Sequence, residues 1–148
     1  MRTRKLELVT RIAEQRTENA KLSVITAKNR LQENQQQLVQ LIEYRKEYAA
    51  RFVSNGQHGI NAKGMQEFRE FLVKLDTAIE QQRKMIDDDQ RNYKDSLLIW
   101  QKTEKQQQGM NRMLDRQHSQ AQVELQRREQ RADDEGSSNK ALRSGSNS

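Results

Sequence analysis

Ser54-Asn55-Gly56-Gln57-His58-Gly59-Ile60-Asn61-Ala62-Lys63-Gly64 is the one cluster of helix breakers between residues 2 and 135 of this 148-residue chain, which contains no proline. Gly56 is placed to supply a left-handed C-cap, and Asn61 is placed to cap the helix that follows. About ten residues are enough to reverse a chain without building a second domain. The flanking sequence therefore reads as all-α, two long helices folded into an antiparallel coiled-coil hairpin. Its expected parts are a helix over 3–53, a turn over 54–63 and a helix over 64–135. Residues 136–148, rich in Ser and Gly, read as a flexible tail that no core requires.

Working outward from the turn, the first segment places Leu6, Ala13, Ala20, Val24, Ala27, Leu31, Leu38, Leu41, Tyr48 and Phe52 at steps of three, four and seven, which puts them on one helix face. Asn34 and Arg45 interrupt that stripe and read as register or specificity positions. The second segment repeats it with Met65, Phe68, Leu72, Leu75, Ile79, Ile86, Tyr93, Leu97, Trp100, Leu114, Ala121 and Leu125. Near Asp89 the steps of three then four give way to four then three, which predicts a local change of supercoil. A turn centred near Gly59 sets Ala20 opposite Leu98, with the small Ala13 and Ala20 leaving room for Trp100 and its neighbours. At 1.5 Å per residue the helices would be ~75 and ~100 Å long, so the second overruns the first by about fifteen to twenty residues. Ala121 and Leu125 fall in that overhang and would be wet in a monomer.

Composition narrows what such a rod can do. Hydrophobic and charged residues each make up 32 %, and twenty residues are glutamine; mean hydropathy is -1.17. So polar a chain can fill a narrow helix–helix seam but not a deep globular core. With no cysteine there is no disulfide or thiolate chemistry. No apolar stretch approaches the ~20 residues that cross a bilayer, and no hydrophobic signal segment opens the chain, so a soluble cytosolic protein is expected. The net charge is +6, and residues 1–51 hold eleven basic against six acidic side chains. A partner with an acidic surface fits that balance.

Residues that could carry chemistry are sparse, and no enzyme activity, cofactor or metal is expected. His58 and His118 have no Cys or second His at ligand spacing. Asp87, Asp88 and Asp89 are consecutive, so they splay around a helix as a solvated face. Serines lack an adjacent base, and no Gly-rich loop precedes a phosphate-binding lysine. Arg127, Arg128 and Arg131 are offset by Glu129, Asp133, Asp134 and Glu135, and Arg2, Arg4 and Lys5 are too few for more than salt-sensitive contact, so a basic helical nucleic-acid-binding protein is the weaker alternative. A hairpin implies a monomer of 17.5 kDa; a generic coiled-coil scaffold or chaperone, as a parallel dimer of two chains, is the rival.

Near the turn the apolar face is too wide for one helix partner. Gln37, Leu41, Tyr44 and Tyr48 form a second row beside the first-helix seam, spreading the semi-apolar arc to about 160°. On the second helix Phe71, Leu75, Ala78 and Gln82 form a matching row. Tyr44, Tyr48 and Phe71 suit an interface anchor, since large amphipathic rings bring contact area with few rotatable bonds.

The run Leu41-Ile42-Glu43-Tyr44-Arg45-Lys46-Glu47-Tyr48, then His58-Gly59-Ile60, then Phe71-Leu72-Val73-Lys74-Leu75-Asp76-Thr77-Ala78-Ile79-Glu80-Gln81-Gln82 resembles the FliJ family of bacterial flagellar export proteins. The resemblance implies a hairpin similar to the central stalk of rotary ATPases, whose end bearing both termini enters the pore of the hexameric export ATPase. Arg2, Arg4, Arg11 and Arg16, with Ala121 and Leu125, would be the ring contacts. It implies docking to the cytoplasmic domain of the export gate through Gln37, Leu41, Tyr44, Tyr48, Phe71, Leu75 and Ala78, and assistance to export chaperones. A location in the cytoplasm, peripheral to the inner membrane, goes with that role. Gln82 stands where some relatives have histidine, and the Ser/Gly-rich tail lies outside the family pattern.

Overall fold

The computed structural model describes residues 2–56 and 59–145. It has two helices, α1 (Arg2–Gly56) and α2 (Ala62–Gly145), packed against each other as an antiparallel hairpin. His58 lies outside the described residues. Asn61 caps α2 as expected: its Oδ1 accepts from the Gly64 amide at 2.8 Å and its backbone oxygen from the Met65 amide at 3.1 Å. The left-handed residue differs from expectation. Gly59 has φ +87°, whereas Gly56 remains the last residue of α1 and accepts a 3.2 Å bond from the Gly59 amide. α1 therefore keeps its helical geometry to its end, and the left-handed position is Gly59. Gly64 is needed for space, because a Cβ there would come 2.8 Å from Ile60 Cγ2 and 3.1 Å from the capping Asn61 oxygen. Asn61→Ala should lower stability by about 1 kcal/mol in a denaturant titration, the usual loss for an N-cap.

α2 also continues beyond residue 135, through the segment expected to be a tail, to Gly145. Extending a helix that is already nucleated is far easier than starting one, so Ser137, Ser138 and Asn139 can be carried between better helix formers such as Lys140, Ala141 and Leu142.

Two compact units make up the chain. Unit 2, Glu18–Lys102, contains Ala20, Leu75, Ile79 and Ile86 as buried apolar side chains, and Asn34, Gln82 and Asp89 as buried polar ones. The fully buried positions of α2 are 75, 79, 82, 86 and 89, alternating four and three, and 93, 96, 97 and 100 follow as half-buried ones. The rhythm is therefore regular up to and including Asp89. Asp89 itself fills the seam position that an apolar reading of the pattern had to skip, and at 5 % exposure it is not part of a solvated acidic face. Leu98 is 57 % exposed, which moves Ala20 off it and leaves Leu97 and Trp100 as the half-buried residues of that stretch.

Unit 1 is Met1–Thr17 with Thr103–Ser148. Its seam is thin, with Thr10 and Thr17 buried. The Thr10 hydroxyl donates to Leu6 O at 2.7 Å, and that of Thr17 lies 3.0 Å from Ala13 O and 3.2 Å from Thr103 O across the seam. His118 Nε2 is 3.6 Å from Glu7 Oε1. From 118 to 143 every residue is exposed, Ala121 and Leu125 among them.

Candidate functional site

The rings of unit 2 gather beside the turn because positions 44, 48 and 52 on α1 meet 68 and 71 on α2. Phe52 stacks on Phe68 with centroids 3.5 Å apart and planes 6° from parallel. Tyr48 follows, 5.2 Å from Phe68 and 4.5 Å from Phe71. Tyr44 ends the series, edge-on to Phe71 at 6.3 Å and 6.5 Å from Tyr48. Five rings thus form one continuous cluster; the contacts from 4.5 to 6.5 Å lie in the range where aromatic pairs are favourable, and the near-parallel Phe52–Phe68 pair is closer. Phe52 and Phe68 belong to it, although the sequence placed them in the seam; their one-turn spacing from Tyr48 and Phe71 was the available signal.

The two expected rows are not one exposed strip. Gln37 is exposed and Tyr44 keeps 47 % of its surface, while Leu41, Tyr48, Phe71 and Ala78 are half-buried. Leu75, at 7 %, is a seam residue that supports the row from beneath. Gln82 is likewise in the seam, its Nε2 donating to the Asn34 backbone oxygen at 2.8 Å and lying 3.4 Å from Gln37 Oε1. The seam count from Leu72 through Leu75 and Ile79 lands on 82, which is why the side chain is covered.

Arg45 occupies a seam position without filling the seam. Its Nε donates to Asp76 Oδ1 at 2.5 Å and its Nη2 to Asp76 Oδ2 at 3.4 Å, joining the helices next to the rings. That hydrogen bond, and then the charge of Asp76, raises the guanidinium pKa above its ordinary value. Because the shift is upward, what it adds to stability is complete below the ordinary arginine range and is lost only as pH rises through the folded value. Both side chains are solvated, which keeps such a pair weak.

Elsewhere, Arg2, Arg4, Arg11 and Arg16 are all exposed on α1. On α2, Glu124 and Arg128 form an i,i+4 ion pair at 3.0 Å. Among the described residues no helix is long and apolar enough to cross a membrane.

The family model described as Flagellar FliJ protein matches residues 1–146. The chain belongs to the FliJ family. No curated protein and no solved structure matches it. Membership makes it a component of the flagellar export apparatus, in a family that is non-enzymatic. Tyr44 at the edge of the ring cluster and residues 118–143 of α2 are exposed.

Proposed function

We propose that this chain is a shaft that links the hexameric export ATPase to the export gate, contacting the ring at the end bearing both termini and the cytoplasmic gate domain beside the turn. The observation that carries the reading is Tyr44: a large ring, 47 % exposed, at the open edge of a cluster whose other members are packed. An aromatic held rigid on one side and wet on the other is the usual form of an interface hot spot. Gln37, Leu41, Tyr48, Phe71 and Ala78 complete the gate surface, with Leu75 holding it in shape. At the other end, Arg2, Arg4, Arg11 and Arg16 supply positive charge to the ring contact, and Ala121 and Leu125 supply apolar surface.

The chain makes and breaks no bonds in this reading. ATP hydrolysis in the ring alters the contacts around the shaft, and the shaft passes the change to the gate as rotation or as a shift in affinity. Coupling of about 1–3 kcal/mol suffices to change occupancy several-fold or more. Export chaperones bind the same apparatus-facing rod, which is a monomer when isolated and sits in the cytoplasm at the inner-membrane face.

Calorimetric titration of the purified chain against the export ATPase and, separately, the gate domain tests the whole proposal, and heat of binding is expected in both. Absence of binding to either would remove it. Backbone amides around Ala121 and Leu125 should exchange rapidly in the free chain and gain at least tenfold protection when the ring is added. Equal protection in both samples would detach those residues from the ring contact.

A further inference from the structure

At the middle of unit 2 three polar side chains replace apolar ones in the seam. Asn34, Gln82 and Asp89 are 8 %, 8 % and 5 % exposed, set among Leu31, Leu38, Ile79 and Ile86. Asn34 Nδ2 donates to Asp89 Oδ2, and Gln82 Nε2 donates to Asn34 O at 2.8 Å and lies 3.4 Å from Asn34 Oδ1. Arg30 Nε stands 3.5 Å from Asp89 Oδ1, with most of its own side chain in water. Gln82 and Asp89 are seven residues apart on α2, so Asn34 bridges two seam positions of the opposite helix that flank Ile86. We infer that these three residues set the register of the hairpin, and that they do so by making every neighbouring register strand a polar group.

The alternatives can be enumerated because the seam repeats every seven residues. Sliding α2 one repeat in one direction brings Asn34 between Leu75 and Gln82 and leaves the Asp89 carboxylate among Ala20 and Ala27. Sliding it the other way keeps Asn34 beside Asp89 but places the Gln82 amide among Leu41 and Tyr48. A parallel pair of two chains sets Asp89 against Asp89, two like charges in a covered seam. Each arrangement buries a polar or charged group without its partner, whereas the observed one pairs all three. The apolar positions discriminate far less, since Leu, Ile and Ala recur at the same spacing throughout. A single buried asparagine is known to specify register and partner number in coiled coils at some loss of stability. Register has a consequence at the ring cluster, because a slip of one repeat in either direction parts Tyr48 from Phe71.

The test reads register directly, without any binding partner, so it is independent of whether Tyr44 meets the gate. The chain has no cysteine, and nitroxide labels can be placed through Gln40→Cys and Gln81→Cys, both exposed positions. In the otherwise native chain one narrow distance is expected. In Asn34→Leu/Gln82→Leu/Asp89→Leu the unfolding temperature should stay equal or rise, while the distance distribution broadens or gains a second, longer component, because a slip of one repeat offsets the labels by about 10 Å along the axis at 1.5 Å per residue; a doubled mass by sedimentation would equally support the inference. Asp89→Asn, which keeps a hydrogen-bonding partner for Asn34, should retain the single distance. A triple variant with one unchanged distance and a mass of 17.5 kDa overturns the inference, whatever its melting temperature. So does a triple variant that loses its helicity, since a fully apolar seam must still form if the polar set contributes register alone.

Discussion

Asn34→Leu is expected to lower the free energy of unfolding by about 3 kcal/mol, the upper part of the range for leaving a buried hydrogen-bond acceptor without its donor. The substitution is not harmful for want of hydrophobicity, because leucine fits the pattern of its neighbours Leu31 and Leu38. It is harmful because the Asp89 carboxylate, 5 % exposed, loses the amide that donates to it and retains only the distant contact to Arg30 at 3.5 Å. The Gln82 amide keeps the Asn34 backbone oxygen and is the smaller concern. Adding Asp89→Leu to Asn34→Leu should recover most or all of the loss, since two well-packed apolar residues replace the pair. Denaturant titrations of the two single variants and the double variant form a cycle whose interaction energy measures the pair. Additive losses would mean that the two side chains act separately.

Tyr44→Ala should weaken binding of the gate domain at least tenfold, ~1.4 kcal/mol, with little change in thermal stability. Tyr44 is the outermost of five rings, and its contacts, edge-on to Phe71 at 6.3 Å and 6.5 Å from Tyr48, are the loosest in the cluster. Tyr48→Ala provides the contrast. That ring touches Tyr44, Phe68 and Phe71, so its truncation should reduce stability by about 2 kcal/mol as well as disturb the surface. The two variants therefore separate docking from folding, which a combined Tyr44 and Tyr48 replacement could not. Calorimetry gives the affinities and thermal melts followed by circular dichroism give the stabilities. Unchanged affinity in Tyr44→Ala would remove this row from the gate contact, and a large loss of stability in that variant would make Tyr44 a packing residue.

Much of the chain was legible before any coordinates. Glycine clustering located the reversal, the Asn61 cap followed from its place before α2, and the recurrence of Leu, Ile and Ala at three and four residues identified the seam. These are local or periodic properties, and each is decided by residues close together in the chain. The crowding of Tyr44, Tyr48 and Phe71 near the turn was also visible, because two helices joined by a short turn must bring residues equidistant from it together.

Tertiary structure alone decided the remainder. Asp89 stands in a run of three aspartates that looks solvated, and only its position against Asn34, fifty-five residues away in sequence, makes it a seam residue. Leu75 and Gln82 have the spacing of an outer row as well as that of the seam, and the choice between them depended on the rotation of α2 against α1. The extension of α2 through Ser137 and Ser138 likewise depended on helix already formed before it, which composition does not record. Helical period and chain reversal are thus properties of sequence, whereas register, rotation and the pairing of buried polar groups arise from free energies shared between residues on opposite helices.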